Sequence, residues 1–395
     1  MKKKYTFPVI MLIVVTFLSN IAIMGTTFYS VIMTELYAHY PEWVVNATMA
    51  WPGLIGMFAC LACGKLCDKV DKKWVFIIGM ILFALTGTNL GGIAYSNNIL
   101  LIACACFNGG LCYGMCSVSI VGIITDCFTD EEQRGSVMGW YNGAMALVGA
   151  VLSFAYGMAA TVRWELASQV NWASALVVIL AIIFIPACPP RAAAPEEKAE
   201  KVKGEKGWAK RLIPLVIAFF LTSFAAMSIM TFIDLFVTGN NLGDAALTGT
   251  FGSVQTIASF IACTFFGQLY KKFGNRLSIP CYFLIALAFL LMYLFPSKAT
   301  LLLGAAIFGA SWGTVYTYWF VRATVVVPES MVGTATGIIT TANSLSYLPM
   351  SYFMTGVMGA AGMTNFRSMF PIYIAVIAVV FVGALVLNAK KETVE

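Results

Sequence analysis

Long runs of apolar residues alternate with short polar stretches along the whole chain. A helix crosses the hydrocarbon layer of a membrane with about 20 apolar residues, and most of the runs reach that length. The pattern therefore predicts an all-α polytopic membrane protein with twelve transmembrane helices. The predicted spans are residues 7–34, 45–66, 74–94, 99–125, 136–160, 169–188, 212–238, 247–269, 277–295, 300–325, 334–359 and 368–388.

A proline-rich and charged segment interrupts the apolar pattern after the sixth run. It carries Pro189, Pro190 and Pro195, followed by a charged stretch over residues 196–206. This composition is typical of a solvated tether, because it offers little apolar surface to bury. The sequence thus predicts an N-terminal six-helix bundle over 1–188, a cytoplasmic charged linker over 189–211 and a C-terminal six-helix bundle over 212–395.

Charged residues are few and unevenly placed. They make up 11% of the chain, against about 25% in soluble domains, so lipid has to cover much of the surface. With both termini in the cytoplasm, 21 of the 24 lysines and arginines fall on the cytoplasmic side, and only Arg163, Lys298 and Arg367 do not. This bias predicts a multi-pass protein of the inner (plasma) membrane with cytoplasmic termini. It also explains the net charge of +6, so no nucleic-acid partner is expected.

The residues that usually carry metal or covalent chemistry form no recognisable site. All 11 cysteines lie in apolar segments or in predicted cytoplasmic segments, which argues against a disulfide framework. The pair Cys60 and Cys63 lacks the second pair or the histidines of a zinc site, and His39 is the only histidine. No nucleophile–base pair or nucleotide-binding loop is evident either. We therefore expect no metal, no cofactor and no enzymatic activity.

The two halves of the chain repeat two short patterns. A basic turn over Gly64–Lys73 follows the second span, and a similar turn over Gly267–Arg276 follows the eighth. A second pair begins the fifth and eleventh spans, at residues 130–139 and 328–337. The offset is 203 residues between Gly64 and Gly267 and is nearly the same for the second pair, which indicates a duplicated six-helix unit.

The basic turn resembles the Gly-x-x-x-Asp-Lys/Arg-x-Gly-Arg-Lys/Arg loop of the major facilitator superfamily. The first copy matches at Gly64, Asp68, Lys69, Lys72 and Lys73, with Asp71 in place of the usual glycine. The second copy matches at Gly267, Lys272, Gly274 and Arg276, with Lys271 in place of the acid. The resemblance implies two pseudo-symmetric six-helix bundles and a secondary transporter that works by alternating access.

The resemblance also implies a conformational latch in these loops. In the family, the acid of the loop meets the start of the eleventh helix, here near Gly333, and a carboxylate there would cap free N–H groups. The alternative is that the basic residues only set the topology. The latch candidates are Gly64, Asp68, Lys69, Lys73, Gly267, Lys272 and Arg276.

Two departures count against a proton-coupled drug exporter. Many exporters of the family carry an arginine in the fourth helix, and Cys106 takes that place here. The glycine-rich exporter signature of the fifth helix is reduced to Gly143 and Gly149, without its proline. A multidrug/proton exporter is therefore kept as the alternative function.

Two ionisable residues within predicted spans are candidates for proton or charge coupling, because charge in a membrane is costly. Asp234, in the outer third of the seventh span, is either a proton or cation site or an interfacial acid. Arg322, in the inner part of the tenth, either neutralises an anionic substrate or extends to the cytoplasmic surface.

Polar and aromatic residues recur at helical spacing on the spans that line the central cavity in this family. They either bind substrate or form hydrogen bonds between helices. Because this set is weakly charged, aromatic and rich in methionine, it favours an amphipathic or uncharged organic solute. The candidates are Asn20, Thr27, Asn108, Cys112, Met227, Met230, Asp234, Gln255, Trp312, Tyr316, Asn343 and Tyr347.

The predicted function is secondary active or facilitated transport of a small organic solute. The predicted partners are that solute, the lipid bilayer, and protons or another ion as an open alternative, and the chain is expected to be a monomer. A non-transporting membrane sensor or scaffold is the alternative from another class.

Overall fold

A computed structural model describes residues 7–67, 69–96, 99–128, 131–189, 208–327 and 332–389. Helices dominate these residues, and no β-strand occurs among them. The helices are α1 (Phe7–Leu18), α2 (Asn20–Met24), α3 (Met33–His39), α4 (Glu42–Cys67), α5 (Lys72–Ser96), α6 (Ile99–Cys127), α7 (Glu131–Val162), α8 (Ser174–Phe184), α9 (Trp208–Gly239), α10 (Ala245–Thr264), α11 (Phe266–Phe273), α12 (Ser278–Leu294), α13 (Lys298–Val325), α14 (Val332–Ala360) and α15 (Phe370–Ala389).

The helices fall where the apolar runs predict membrane spans. Within the described residues, ten stretches are long and apolar enough to cross a membrane. Helices α5 and α14 occupy the positions of the other two predicted spans, the third and the eleventh. The all-α polytopic fold class is therefore confirmed, and the helix order is consistent with twelve spans.

The chain divides into two compact units. Unit 1 comprises Met1–Glu196 and unit 2 comprises Glu197–Glu395, so the division falls inside the predicted linker. Helix α9 begins at Trp208, a few residues before the predicted start of the second bundle at 212.

The first predicted span, 7–34, is not one continuous helix. Helix α1 ends at Leu18, α2 begins at Asn20, and residues 25–31 form 3-10 turns. The Ser19 hydroxyl donates to the Thr16 carbonyl oxygen over 2.6 Å, and the Thr16 hydroxyl donates to the Ile13 carbonyl oxygen over 2.7 Å. Such side-chain bonds to the backbone compete with the helical ladder, which explains a break at this point.

The sixth and eighth predicted spans are also subdivided. Residues 164–173 form 3-10 turns before α8, which ends at Phe184 rather than at 188. Ile185 is extended, with ψ of 120°, because it precedes Pro186 and the proline ring disfavours the helical region there. The eighth span breaks at Phe265, between α10 and α11.

In each unit a glycine brings two helices into direct backbone contact, and these two contacts correspond by the internal repeat. In unit 1, a Cβ atom on Gly110 would lie 2.6 Å from the Ile55 Cβ and 2.7 Å from the Pro52 carbonyl oxygen, so α6 packs directly on α4. In unit 2, a Cβ on Gly309 would lie 2.0 Å from the Gln255 carbonyl oxygen, so α13 packs directly on α10. Gly110 and Gly309 are 199 residues apart, close to the offset of the basic turns. Small residues at such contacts let membrane helices approach closely.

Candidate functional site

Aromatic rings form a connected cluster between α9 and α13 of unit 2. Tyr316 lies at its centre, with ring centroids 5.6 Å from Phe219, 5.6 Å from Trp312 and 5.1 Å from Phe320. Residues 312, 316 and 320 share one face of α13 because they are four residues apart. Phe219, Trp312, Tyr316 and Phe320 are called the aromatic cluster below. Tyr316 and Phe320 are half-buried, whereas Phe219 is fully buried and supports them from α9.

A methionine–tyrosine contact joins α9 to α14 in the same unit. The Tyr347 hydroxyl donates to the Met227 sulfur over 2.8 Å. A second contact runs from the Thr231 hydroxyl to the Met350 sulfur at 3.9 Å. Asn343 lies one turn before Tyr347, and its Oδ1 is buried without a hydrogen-bond partner in the described part of the chain. Three predicted site residues thus lie on the helix pair α9 and α14: Met227, Asn343 and Tyr347.

Other buried polar atoms are also left without partners within the described residues. They are the Oδ1 of Asn20 in unit 1 and the hydroxyls of Ser223, Ser311 and Tyr373 in unit 2. A buried polar group without a hydrogen bond costs about 1–3 kcal/mol, which makes it a candidate for contact with water or a ligand. In the Asn20 side chain, the amide nitrogen does form hydrogen bonds, and one of them is donated to the Tyr141 carbonyl oxygen over 3.1 Å.

The unpartnered atoms of α2 and α9 correspond by the internal repeat. Asn20 and Ser223 are 203 residues apart, the same offset as Gly64 and Gly267, and Met24 and Met227 repeat it one turn further on. Each unit therefore presents a buried polar atom followed by a methionine at the same position of its first span. Helical spacing places Ser223 on the same face of the seventh span as Met227 and Asp234, and this offset adds it to the site candidates.

Asp234 is buried near the end of α9. Its side chain is 2% exposed, and its Oδ1 accepts a hydrogen bond from the Thr248 hydroxyl of α10 at 3.0 Å. It lies 15 residues after Phe219, the cluster residue of the same helix, which is about 22 Å along α9. Asp234 is therefore separate from the aromatic cluster.

Arg322 is directed to the loop that follows α11. Its Nη1 donates to the Asn275 side-chain oxygen over 3.0 Å, and the Tyr318 hydroxyl donates to the Asn275 carbonyl oxygen over 2.9 Å. This is the arrangement expected if the side chain extends toward the surface.

The other predicted cavity residues are less informative. Cys112 is buried and donates to the Gly109 carbonyl oxygen over 3.1 Å, and Asn108 is half-buried on the same helix. Gln255 is buried where α10 meets α13, and Met230 is half-buried on α9. The side chain of Thr27 lies outside the described residues.

In unit 1, the predicted latch loop is bound to its own bundle. Lys72 forms an ion pair with Asp126 at the end of α6, with 2.5 Å between Nζ and Oδ2. The Lys73 ammonium donates to the Ile182 carbonyl oxygen of α8 over 2.9 Å. Lys69 is exposed, and Asp68, the acid of the proposed latch, lies outside the described residues.

The corresponding loop of unit 2 contains the exposed residues Lys272 and Arg276. The Lys272 ammonium lies 5.5 Å from the Phe273 ring centroid. A Cβ atom on Gly64 or Gly267 would meet none of the described atoms within 4 Å, so close packing does not require glycine at either position in this structure. The latch remains a prediction.

The apolar spans and the two helical units define a polytopic membrane protein. The family model for the Major Facilitator Superfamily matches residues 9–351, so the chain belongs to that superfamily.

Among characterised proteins, the chain is similar to two multidrug resistance proteins named MdtL. The one from Vibrio parahaemolyticus is 27% identical over 177 residues, which is 44% of this chain and 43% of the relative. The one from Klebsiella pneumoniae is 22% identical over 184 residues, which is 45% of this chain and 44% of the relative. The matched segments thus span less than half of these relatives.

Solved transporter structures share the fold over nearly the whole chain. The nucleoside transporter NupG superposes with a TM-score of 0.79 at 14% identity, covering 95% of this chain and 98% of that one. The peptide transporter POT superposes with a TM-score of 0.76 at 11% identity, covering 95% and 94%. At these identities the likeness shows the fold alone.

Proposed function

We propose that the protein is a secondary transporter for a small amphipathic or weakly charged organic solute, which it moves by alternating access. The observation that carries this proposal is the aromatic cluster of α9 and α13, together with the methionine–tyrosine contact of α9 and α14 about 12 Å further along α9. Aromatic rings and thioethers bind apolar or cationic organic surfaces, and a few polar atoms orient the ligand.

The polar atoms available in unit 2 support an uncharged or weakly charged substrate. The unpartnered atoms among the described residues there are the hydroxyls of Ser223, Ser311 and Tyr373 and the amide oxygen of Asn343, all of them on uncharged side chains. A sugar needs many hydrogen-bond partners, and a multiply charged anion needs paired cations. The methionine and aromatic surface matches neither requirement.

Export of several drugs is the second candidate function, and the MdtL relatives favour it. A methionine-rich aromatic surface adapts to ligands of different shape, which suits broad specificity. Cys106 in the place of the exporter arginine speaks against the usual proton-coupled form. Broad drug resistance on expression, lost on substitution in the aromatic cluster, would select this function.

The proposal includes a setting in the cell. We place the protein in the plasma membrane as a monomer with both termini in the cytoplasm, and the lysine and arginine distribution supports this orientation of the termini. Proton or ion coupling would involve Asp234, which is the buried acid of α9.

The first experiment measures thermal stabilisation of the purified protein by amphipathic cations, organic anions, amino acids and sugars. A bound ligand at 100 times its dissociation constant adds about 2.7 kcal/mol of stability. We expect amphipathic compounds to stabilise the protein. Tyr316→Leu, which removes the central ring of the cluster, is expected to weaken that binding by about tenfold or more.

The matched control is Tyr352→Leu, because Tyr352 is 46% exposed on α14 and lies outside the cluster. This variant should bind the same compounds as the unaltered protein. Stabilisation by sugars alone, or equal loss of binding in the two variants, would contradict the proposal.

Asp234→Asn is expected to flatten the pH dependence of transport in proteoliposomes. The substitution keeps the size of the side chain and its contact with Thr248 but removes the group that takes up a proton. The control is Asp244→Asn, which alters an exposed acid at the start of α10. If the pH profile of Asp234→Asn stays the same as that of the control, Asp234 has no part in coupling.

A further inference from the structure

Two thiols lie side by side at the end of unit 1 where α6 finishes. Cys127 is the last residue of α6, and Cys188 lies in the short segment after α8. Their sulfur atoms are 3.8 Å apart although the residues are separated by 61 positions in the sequence. The fold therefore creates a thiol pair that the sequence spacing does not suggest.

The segment that carries Cys188 is fixed to the loop between α4 and α5. The Cys188 amide donates to the Asp71 Oδ1 over 3.0 Å, and its carbonyl oxygen accepts from the Lys72 amide at 3.2 Å. These two bonds hold the backbone of Cys188, so the proximity of its sulfur to Cys127 is a defined feature of the packing.

The two thiols differ in exposure and acidity. Cys188 is 3% exposed, whereas Cys127 is half-buried and is the sulfur that a reagent reaches more easily. The thiol–thiol contact lowers the pKa of the Cys188 thiol below its ordinary value and raises the pKa of the Cys127 thiol, so the shared proton rests on Cys127. An accessible thiol and an adjacent, more acidic thiol are the components of thiol–disulfide exchange.

We propose that Cys127 and Cys188 form a reversible dithiol–disulfide site that reacts with low-molecular-weight disulfides. The Cys127 sulfur passes its proton to the adjacent Cys188 thiolate and attacks one sulfur of the external disulfide, which forms a mixed disulfide and releases the first external thiolate, and that thiolate takes up the proton from Cys188. The Cys188 thiolate then attacks the Cys127 sulfur, which breaks the mixed disulfide and releases the second. Both protein thiols are oxidised, the external disulfide is reduced to two thiols, and the two protons pass to those products.

The geometry allows closure with a small movement. A disulfide bond is about 2 Å long, so the sulfurs have to approach by less than about 2 Å. Rotation of the two cysteine side chains about their Cα–Cβ bonds can supply this shift without disturbing α6 or the two backbone hydrogen bonds of Cys188. Closure would join the end of α6 covalently to the segment that leads into the linker.

The test uses the purified full-length protein in detergent, treated with oxidised glutathione after complete reduction. Peptide mass spectrometry is expected to find a reducible link between the peptides of Cys127 and Cys188. The closed loop should also raise the midpoint of thermal unfolding by roughly 5 °C. Reduction with dithiothreitol should return both readouts to their starting values.

Single substitutions distinguish the two roles. In Cys188→Ser, the mixed disulfide on Cys127 should accumulate because the second thiol is missing, at least about fivefold above the unaltered protein. In Cys127→Ser, closure and the rise in midpoint should both be lost. The control Cys281→Ser, which alters a buried cysteine of α12, should behave like the unaltered protein.

The disulfide link and the thermal unfolding midpoint are both measured without a transport assay. The test therefore does not depend on the proposed substrate. No link in the unaltered protein would overturn the proposal, as would a mixed disulfide that persists there to the same extent as in Cys188→Ser. A link that joins Cys127 to another cysteine would overturn it as well.

Discussion

Replacing Gly309 by alanine is expected to destabilise unit 2 by about 3 kcal/mol or to prevent its folding. The new Cβ would lie 2.0 Å from the carbonyl oxygen of Gln255 and 2.7 Å from its carbonyl carbon. These are backbone atoms of α10, so a side-chain rotation cannot relieve the clash and the two helices have to separate. The measurement is the thermal unfolding midpoint in detergent, together with the yield of monodisperse protein.

The matched control for Gly309 is Gly356→Ala on α14. A Cβ at that position meets no described atom within 4 Å, and alanine is the better helix former. Its midpoint should stay unchanged or rise slightly. Gly110→Ala should repeat the Gly309 effect in unit 1, because it clashes with the Pro52 carbonyl oxygen. Equal midpoints for Gly309→Ala and Gly356→Ala would contradict the proposed packing.

Removing the carboxylate of the Lys72–Asp126 ion pair is also expected to lower the stability of the protein strongly. The two side chains are only 12% and 16% exposed, so Asp126→Ala would leave a largely buried ammonium without its counter-charge. The expected loss is about 2–3 kcal/mol, at the lower end of values for buried pairs because some solvent remains. The measurement is again the thermal unfolding midpoint.

A double variant separates the cost of an unpaired charge from the value of the pair. Lys72→Met combined with Asp126→Leu removes both charges and should recover most of the lost stability. Arg163→Ala breaks a pair whose arginine side chain is 52% exposed, so it should change stability by less than about 0.5 kcal/mol. A double variant as unstable as Asp126→Ala would show that the pair itself is what stabilises the loop.

Much of the fold is predictable because the membrane imposes it. Bilayer thickness sets the length of an apolar helix, so the apolar runs gave the fold class and the order of spans. The basic turns identified the duplication, and their resemblance identified the family that the match over residues 9–351 confirms. The breaks at Ser19 and Phe265 were missed, because hydropathy does not detect a local change in backbone conformation.

The candidate site was only partly predictable. Helical spacing selected Trp312, Tyr316 and Tyr347, which the structure places in the ring and sulfur contacts of unit 2. Spacing could not show that Phe219 on another helix completes the cluster, since that depends on how α9 packs against α13. It also could not show which polar atoms lack partners, because satisfaction of a hydrogen bond depends on the neighbouring helices.

The sequence by itself determined the membrane environment, the all-α fold class and the family, because these follow from local hydrophobicity, charge and motifs. Only the tertiary structure decided which distant residues meet: Gly309 on Gln255, Lys72 with Asp126, and Cys127 beside Cys188. Such pairs are separated by about 50 residues or more in the chain, and they come together through helix packing, which has no periodic signal in a single sequence.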